Sequence, residues 1–275
     1  MKVGLIQIDG KMPNLALMKL AQWHKNKGDD VTIVDLSSLG VESWYGSKIF
    51  MGGSGYDIKQ SLPSDIEAQV PDYEKFNLDY SLGFTSRGCI RDCGFCIVKE
   101  KEGMQHDVDM SWIKHQKVVM FDNNFLASSK WKEKLQYFID NKIKVSFNQG
   151  LDIRLINEEK AEMLSRTLYF DRTFSRKVIY FAFDNLSMKE IFIEKMKIVT
   201  KFIKPYKVMV YFIVGYNSTF EEDMERFKIM REIGVDPFAM PFKDCKKNIK
   251  TLDFCRWVNK RLYKICSFEE YKGRK

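Results

Sequence analysis

From residue 79 onward, the sequence alternates short apolar segments with longer segments in which apolar residues recur every three or four positions. The first kind is typical of buried strands, and the second of helices that cover one face of a sheet. The predicted strands are 80–85, 117–121, 144–147, 177–183, 207–214 and 236–240, and the predicted helices are 129–141, 157–165, 187–202, 219–233 and 252–263. Such alternation predicts a parallel sheet with helical cover.

The first 78 residues predict a smaller domain of their own. Segments 3–8 and 31–36 are typical of buried strands, and segment 14–26 is typical of an amphipathic helix that ends before Gly28, which together make a βαβ unit. A third strand is predicted at 44–50. The glycine-rich segment 51–56 lacks the spacing of a dinucleotide-binding turn and predicts a flexible turn instead.

These patterns predict an α/β chain in three parts. A small Rossmann-like βαβ domain covers residues 1–78, a partial (βα)6 TIM-like barrel covers 79–245, and a helical extension covers 246–275. Six strand–helix repeats are too few to close an eight-stranded barrel, so we expect an open one.

The chain is basic, with 45 Lys and Arg against 37 Asp and Glu and a net charge of +8. Two clusters near the end contain Lys243, Lys246, Lys247 and Lys250, and then Lys272, Arg274 and Lys275. This charge favours polyanions such as nucleic acid, or it is a solvated basic surface. Neither a run of eighteen apolar residues nor a cleavable leader is evident, so we expect a soluble cytoplasmic protein with no membrane partner.

Three of the six cysteines lie within eight residues, directly after the first predicted strand of the alternating array. These are Cys89, Cys93 and Cys96, and their crowding is a poor layout for a secreted disulfide framework. Thiolates are soft ligands that suit iron–sulfur clusters, zinc or Cu(I). A structural zinc site needs four protein ligands, and only His106 and His115 lie nearby to supplement the thiols.

The spacing Cys-x3-Cys-x2-Cys, with the aromatic Phe95 before the last cysteine, resembles the signature of radical S-adenosylmethionine enzymes. The resemblance implies a [4Fe-4S] cluster held by Cys89, Cys93 and Cys96, with S-adenosyl-L-methionine bound at the fourth iron. It also implies reductive cleavage of that cofactor to a 5'-deoxyadenosyl radical that abstracts hydrogen from a substrate. A reducing electron donor of flavodoxin or ferredoxin type and an anaerobic setting follow from this chemistry.

The resemblance extends over residues 79–245, where polar or glycine residues follow the predicted strands. The segment Asp122, Asn123 and Asn124 resembles the one that contacts the methionyl amine of the cofactor, with Asp122 and Asn123 as candidates for that contact. The alternative is an Asx-turn or helix cap. Phe95 is expected to contact the adenine through its backbone, or else to be a core aromatic.

Residues after the third, fourth and fifth predicted strands complete the expected cofactor site. The resemblance implies that Gln149 and Arg154 reach the cofactor or substrate, with Arg154 pairing to the methionyl carboxylate; an Asp152–Arg154 ion pair is the alternative. Asp184 would accept from ribose hydroxyls or cap a helix. Gly215 would let the backbone approach the adenine, or it is a turn glycine.

The N-terminal domain resembles the cobalamin-binding domain of one subgroup, but the Asp-x-His-x-x-Gly motif is absent and His24 does not match it. Cobalamin bound without a histidine, in a radical methyltransferase, stays an alternative. A basic nucleic-acid-binding module with a structural zinc is another. Cys245, Cys255 and Cys266 would either ligate an auxiliary cluster or pack as small apolar residues. The substrate, whether peptide or nucleic acid, stays open.

Overall fold

The computed structural model describes residues 1–33, 41–47, 62–245 and 247–273. The chain divides into two compact units: Met1–Gly83 with Asp109–Val118, and Phe84–Val108 with Val119–Lys275. The glycine-rich segment 51–56, the ends of the second and third predicted strands, and three of the basic residues noted above (Lys246, Arg274 and Lys275) lie outside the described residues.

The first unit is built on a three-stranded parallel sheet in the order β2-β1-β3. Its strands are β1 (Lys2–Gln7), β2 (Asp30–Ile33) and β3 (Ser43–Ser47), followed later by β4 (Ser81–Gly83); its helices are α1 (Leu15–Asn26) and α2 (Ser64–Glu67). The Asn14 side chain caps α1 by accepting hydrogen bonds from the Ala16 and Leu17 backbone amides. Val3 and Leu5 of the central strand pack in the core against Leu17 and Leu20. The βαβ prediction is confirmed over the described residues.

The second unit continues the alternation of strands and helices. Its strands are β5 (Ser86–Arg87), β6 (His106–Asp107), β7 (Lys117–Met120), which crosses the unit boundary, β8 (Lys144–Phe147), β9 (Leu168–Tyr169), β10 (Ile179–Ala182), β11 (Val208–Val214) and β12 (Asp236–Pro241). Its helices are α3 (Val98–Glu102), α4 (Trp131–Asp140), α5 (Glu158–Arg166), α6 (Lys189–Phe202), α7 (Phe220–Ile233) and α8 (Ile249–Asn259). Each strand and helix predicted from residue 117 onward has an observed counterpart here, and the strand predicted at 80–85 corresponds to β4 of the first unit.

Two groups of strands form the sheets of the second unit. Strands β7, β8 and β9 lie side by side in that order, and β10, β11 and β12 form a parallel sheet. A parallel bridge between Leu151 and Phe181 joins the two groups, with the Leu151 amide donating to the Tyr180 carbonyl at 2.8 Å. A parallel α/β architecture is therefore confirmed, whereas curvature into a partial barrel stays a prediction.

Burial alternates along the central strand β11, where Val208, Val210, Phe212 and Val214 are buried and the residues between them are partly exposed. This pattern shows that one face of the sheet carries the helices and the other is more open. Helix α8 packs on β12, and the Asn259 side chain exchanges two hydrogen bonds with the Ala239 backbone. Within the described ranges, no helix is long and apolar enough to cross a membrane.

Candidate cofactor site at the three-cysteine loop

A short hairpin holds the base of the loop that carries the three cysteines. Strands β5 and β6 pair antiparallel, Ser86 with Asp107 and Arg87 with His106. The Cys89 amide donates to the Gly103 carbonyl at 3.3 Å, which closes the loop. Gly88 has φ of +72°, and a side chain there would clash with the Met104 carbonyl oxygen, so this position requires glycine. The hairpin and α3 have no strong periodic signal and were missed at the sequence level.

All three loop thiols are free, with Cys96 exposed and the other two half-buried. The backbone of Cys96 turns back on that of Cys93, its amide donating to the Cys93 carbonyl at 2.8 Å. Burial raises the pKa of the Cys93 thiol, the neighbouring Cys96 and Cys89 thiols add to this shift, and the Arg154 guanidinium opposes it. Among the described residues, no three His, Cys, Asp or Glu side chains are grouped so as to hold a single metal ion.

Asp152 lies beside this loop, between two arginines. Arg91, which lies between the first two cysteines, donates to the Asp152 carboxylate at 2.9 Å, and Arg154 donates to both carboxylate oxygens at 2.7 and 3.1 Å. Burial alone would raise the pKa of Asp152, but these hydrogen bonds and charges outweigh it and leave the pKa below its usual value. The ion pair between Asp152 and Arg154 is therefore present, and it also ties the cysteine loop to the segment after β8.

Asn124 joins the same cluster, and one of its polar atoms has no partner. Its Nδ2 donates to the Cys89 sulfur at 3.6 Å and to Asp152 at 3.3 Å. Its Oδ1 is buried and accepts no hydrogen bond from any described residue. Flipping the amide would turn Oδ1 toward the Asp152 carboxylate and the thiol, so the observed orientation is the favourable one. Asn124 thus presents a buried, unused acceptor beside Cys89.

Asp122 and Asn123 support the stem of the loop. The Asp122 carboxylate is buried and accepts from the Thr85 amide, the Thr85 hydroxyl and the Ser86 hydroxyl, each at 2.7 Å. Burial raises the pKa of Asp122 even though these hydrogen bonds oppose the shift. Asn123 donates to Glu102 at 2.7 Å, and Glu102 also accepts from the Gly88 amide at 3.2 Å. Glu102 was not anticipated from the sequence, because it lies in the short helix α3.

A second buried network fixes the ends of β10 and β11. Arg226, fully buried on α7, donates to the Phe183 carbonyl at 3.0 Å and the Ile213 carbonyl at 2.7 Å, and pairs with Asp223. Asp223 in turn accepts from the Gly215 amide at 2.9 Å. The sequence signal for this pair was the three-residue spacing of Asp223 and Arg226 in a predicted helix. Such a charge pair usually lies on the solvent-exposed face of a helix, so it did not indicate a buried network. Helix α7 begins with a capping box, in which Thr219 and Glu222 exchange side-chain to backbone hydrogen bonds.

Asp184 and Gly215 lie within reach of this second network. Burial raises the pKa of Asp184 to about 6, although the Ile213 amide and the charges of Arg226 and Arg154 oppose the shift. The charge of Arg154 lowers the pKa of both Asp152 and Asp184, so the two networks are electrostatically connected. Gly215 has φ of +80°, which favours glycine, and its carbonyl lies 3.5 Å from the Cys245 sulfur.

Aromatic contacts connect the loop to the end of β11. The Phe95 and Tyr216 rings meet edge to face at 5.2 Å between centroids, and a side chain at Gly94 would lie 2.5 Å from the Tyr216 hydroxyl. Phe95 is therefore partly buried in an aromatic contact. The Gln149 side chain is exposed and makes no hydrogen bond to a described residue, so it does not join the cluster.

The remaining cysteines and His24 have internal contacts. Cys255 is buried, and the Cys266 thiol lies 3.9 Å from the Leu262 carbonyl. His24 is 1% exposed, and its Nδ1 lies 2.7 Å from Asp29. Comparison with models of known protein families gives no match for this chain, and comparison with curated proteins gives none either.

Proposed function

We propose that this protein is a radical S-adenosylmethionine enzyme that binds a [4Fe-4S] cluster through Cys89, Cys93 and Cys96. The observation that carries the proposal is one closed loop with three free thiols, beside the unpartnered Asn124 oxygen and the Arg91–Asp152–Arg154 cluster. This arrangement combines soft metal ligands with both an acceptor and cations, which a bound amino acid requires.

The donor set fits the cluster. Three thiolates can bind three irons of a cube and leave one iron open. Cys89, Cys93 and Cys96 would hold this cluster, and a centre with several metal atoms does not require the grouping of ligands around a single ion that is absent among the described residues. When bound, the cluster supplies one electron that cleaves S-adenosylmethionine into methionine and a 5'-deoxyadenosyl radical. We propose that the low-potential electron comes from a flavodoxin- or ferredoxin-type donor in the cytoplasm.

Different residues around the loop bind different groups of the methionine part of the cofactor. The buried Asn124 Oδ1 accepts from the methionyl ammonium. Arg154 has five N–H donors, of which two go to Asp152, so others remain for the methionyl carboxylate. Asp152 holds both arginines at the loop and so fixes where that carboxylate binds.

Residues at the ends of β10 and β11 bind the nucleoside part of S-adenosylmethionine in this proposal. The Asp184 carboxylate accepts from ribose hydroxyls. A Cβ at Gly215 would lie 2.6 Å from the Cys245 sulfur, so a flat base reaches this backbone only when the Cys245 side chain moves aside. Tyr216 and Phe95 add apolar surface beside the loop, where a reactive carbon radical has to be kept from water. Asp122 and Asn123 act indirectly, since their side chains hold the loop stem.

The test is anaerobic reconstitution with iron and sulfide, followed by dithionite and S-adenosylmethionine. The wild type is expected to bind about four irons per chain and to release 5'-deoxyadenosine, as three thiols on one loop suit one cube. Cys93→Ala is expected to lose both properties. Cys266→Ala is the matched control, because it removes a half-buried thiol outside the loop and should leave both unchanged.

Two outcomes contradict the proposal. If the wild type retains stoichiometric zinc and assembles no cluster, the loop is a structural metal site. If the wild type assembles a cluster but yields no 5'-deoxyadenosine under these conditions, the site is an electron-transfer centre.

A further inference from the structure

The opposite end of the second unit carries an unpaired basic surface. We define the amino edge as the side of this unit where β8, β9, β10 and β11 begin. Parallel pairing of β8 with β9 and of β10 with β11, together with the parallel bridge from Leu151 to Phe181, brings these four strand starts to one side. Asn124 and Asp152, which contact the thiol loop, follow the carboxyl ends of β7 and β8, so the amino edge lies at the other end of these strands from the cofactor site.

Six exposed basic residues lead into these strands: Lys142, Arg166, Arg172, Arg176, Lys177 and Lys204. The segments 141–144, 166–177 and 203–207 contain one acidic residue, Asp171. The Asp171 carboxylate already accepts from the Ser175 amide at 3.0 Å and the Thr173 hydroxyl at 3.1 Å, so its own loop occupies it. These three segments therefore carry an excess of positive charge, although the exposed Asp140 directly precedes the first of them.

None of the six forms an ion pair with a described residue. Some exposed lysines elsewhere in the unit are paired, as in Lys132 with Glu159 at 2.5 Å and Lys189 with Glu225 at 2.7 Å, whereas others, such as Lys130 and Lys228, form no ion pair with a described residue. Helix C-termini account for part of this pattern, because the dipole favours cations there. Arg166 is the last residue of α5, and Lys142 and Lys204 come shortly after α4 and α6. Arg172, Arg176 and Lys177 lie in the loop between β9 and β10 and have no such explanation.

Exposed aromatic surface accompanies this charge. The Tyr206 side chain is 65% exposed, and the Lys207 ammonium lies 5.9 Å from its ring centroid. Tyr206 reaches the neighbouring β9 segment, where its phenol adds to the effect of burial in raising the pKa of Tyr169. The ring therefore lies beside a basic residue and is exposed to a partner.

We propose that the amino edge binds a single-stranded polynucleotide. Lysine and arginine contact phosphates, while an exposed aromatic ring stacks on bases of any sequence. The same combination is less suited to an acidic protein, which offers carboxylates but no flat rings to stack on Tyr206. This binding site needs neither the metal nor the cofactor, so it stands or falls separately from the proposed function.

The test measures fluorescence anisotropy of labelled poly(U) and poly(dT) with the full chain, without iron, over a range of salt concentrations. The triple variant Arg172→Gln, Arg176→Gln, Lys177→Gln is expected to bind at least about tenfold more weakly at low salt. Its plot of log affinity against log salt should be shallower by about 2, from roughly 0.7 per lost phosphate contact. Tyr206→Leu should weaken binding about fivefold or more by removing base stacking.

The matched control is Lys243→Gln, Lys247→Gln, Lys250→Gln, which removes the same charge from exposed positions after β12. It should keep nearly wild-type affinity, and unchanged thermal unfolding should show that each variant is folded. If both triple variants lose the same affinity, the effect depends only on net charge and the proposal is overturned. Absence of polynucleotide binding by the wild type at low salt would also overturn it. If the protein binds poly-L-glutamate as tightly as poly(U), and Tyr206→Leu does not change that affinity, the surface binds an acidic protein instead. Weaker binding to poly(dT) would assign the site to RNA.

Discussion

The buried pair of Asp223 and Arg226 makes a quantitative prediction about stability. Asp223→Asn removes the negative charge that faces a fully buried guanidinium, whose other hydrogen bonds go to two neutral carbonyls. Breaking a buried pair by removing one partner costs about 3–5 kcal/mol, since the remaining charge is left uncompensated. For a unit of this size, that corresponds to a fall in melting temperature of roughly 6–20 °C.

Glu225→Gln on the same helix is the matched control. It breaks the ion pair with Lys189, whose two side chains are 40% and 44% exposed, and such exposed pairs contribute about 0.2–1 kcal/mol. Its melting temperature should therefore fall by no more than about 4 °C. A double variant, Asp223→Asn with Arg226→Met, removes both charges and should recover part of the loss.

Thermal unfolding of the full chain by circular dichroism measures these shifts. Hydrogen-exchange mass spectrometry should locate the change in β11 and the segment after it, because the Gly215 amide loses its charged acceptor. If Asp223→Asn and Glu225→Gln lower the melting temperature equally, the pair does not stabilise the ends of these strands as we infer.

Two further predictions concern the candidate site. Because the folded-state pKa of Asp184 is raised to about 6 from 3.8, this carboxyl stabilises the folded chain at low pH, and that contribution is lost as the pH rises through this window. Asp184→Asn should therefore raise the melting temperature at pH 7.5 and have less effect near pH 4; an equal shift at both pH values would refute the argument. Gly94→Ala places a methyl group against the Tyr216 hydroxyl, so it should lower iron incorporation on reconstitution, and adding Tyr216→Phe should restore it. Unchanged iron content in Gly94→Ala would show that the loop tolerates the displacement.

The fold of the second unit was largely predictable because its strands are short apolar runs and its helices are amphipathic. Strand 144–147 was predicted at its observed bounds, and the others agree within a few residues. Strand β9 was missed because two residues, Leu168 and Tyr169, are too short to show a period. The start of α8 was placed three residues late because its first turn contains exposed lysine and isoleucine.

The site was predictable in its residue types and less so in its contacts. Three cysteines in eight residues are visible in any reading of the sequence. Residues 122–124 are three adjacent polar residues, and the sequence does not specify the direction of their side chains. In the structure, Asp122 faces Thr85 in the stem, while Asn124 faces Cys89. The support from Glu102 and Arg91 depends on loop geometry, which spacing alone does not specify.

The closed base of the cysteine loop has a consequence for the entropy of ligand binding. Asp122 fixes Thr85 and Ser86 on one side, and Glu102 and Gly103 hold Gly88 and Cys89 on the other. Only the residues between these anchors need to reorganise when a ligand is taken up. Ordering a free residue costs about 1–2 kcal/mol of backbone entropy, so anchors made during folding spare the ligand that part of the cost. The stem is thus a preorganised frame, and changes to Asp122 should weaken ligand uptake without touching any ligand atom.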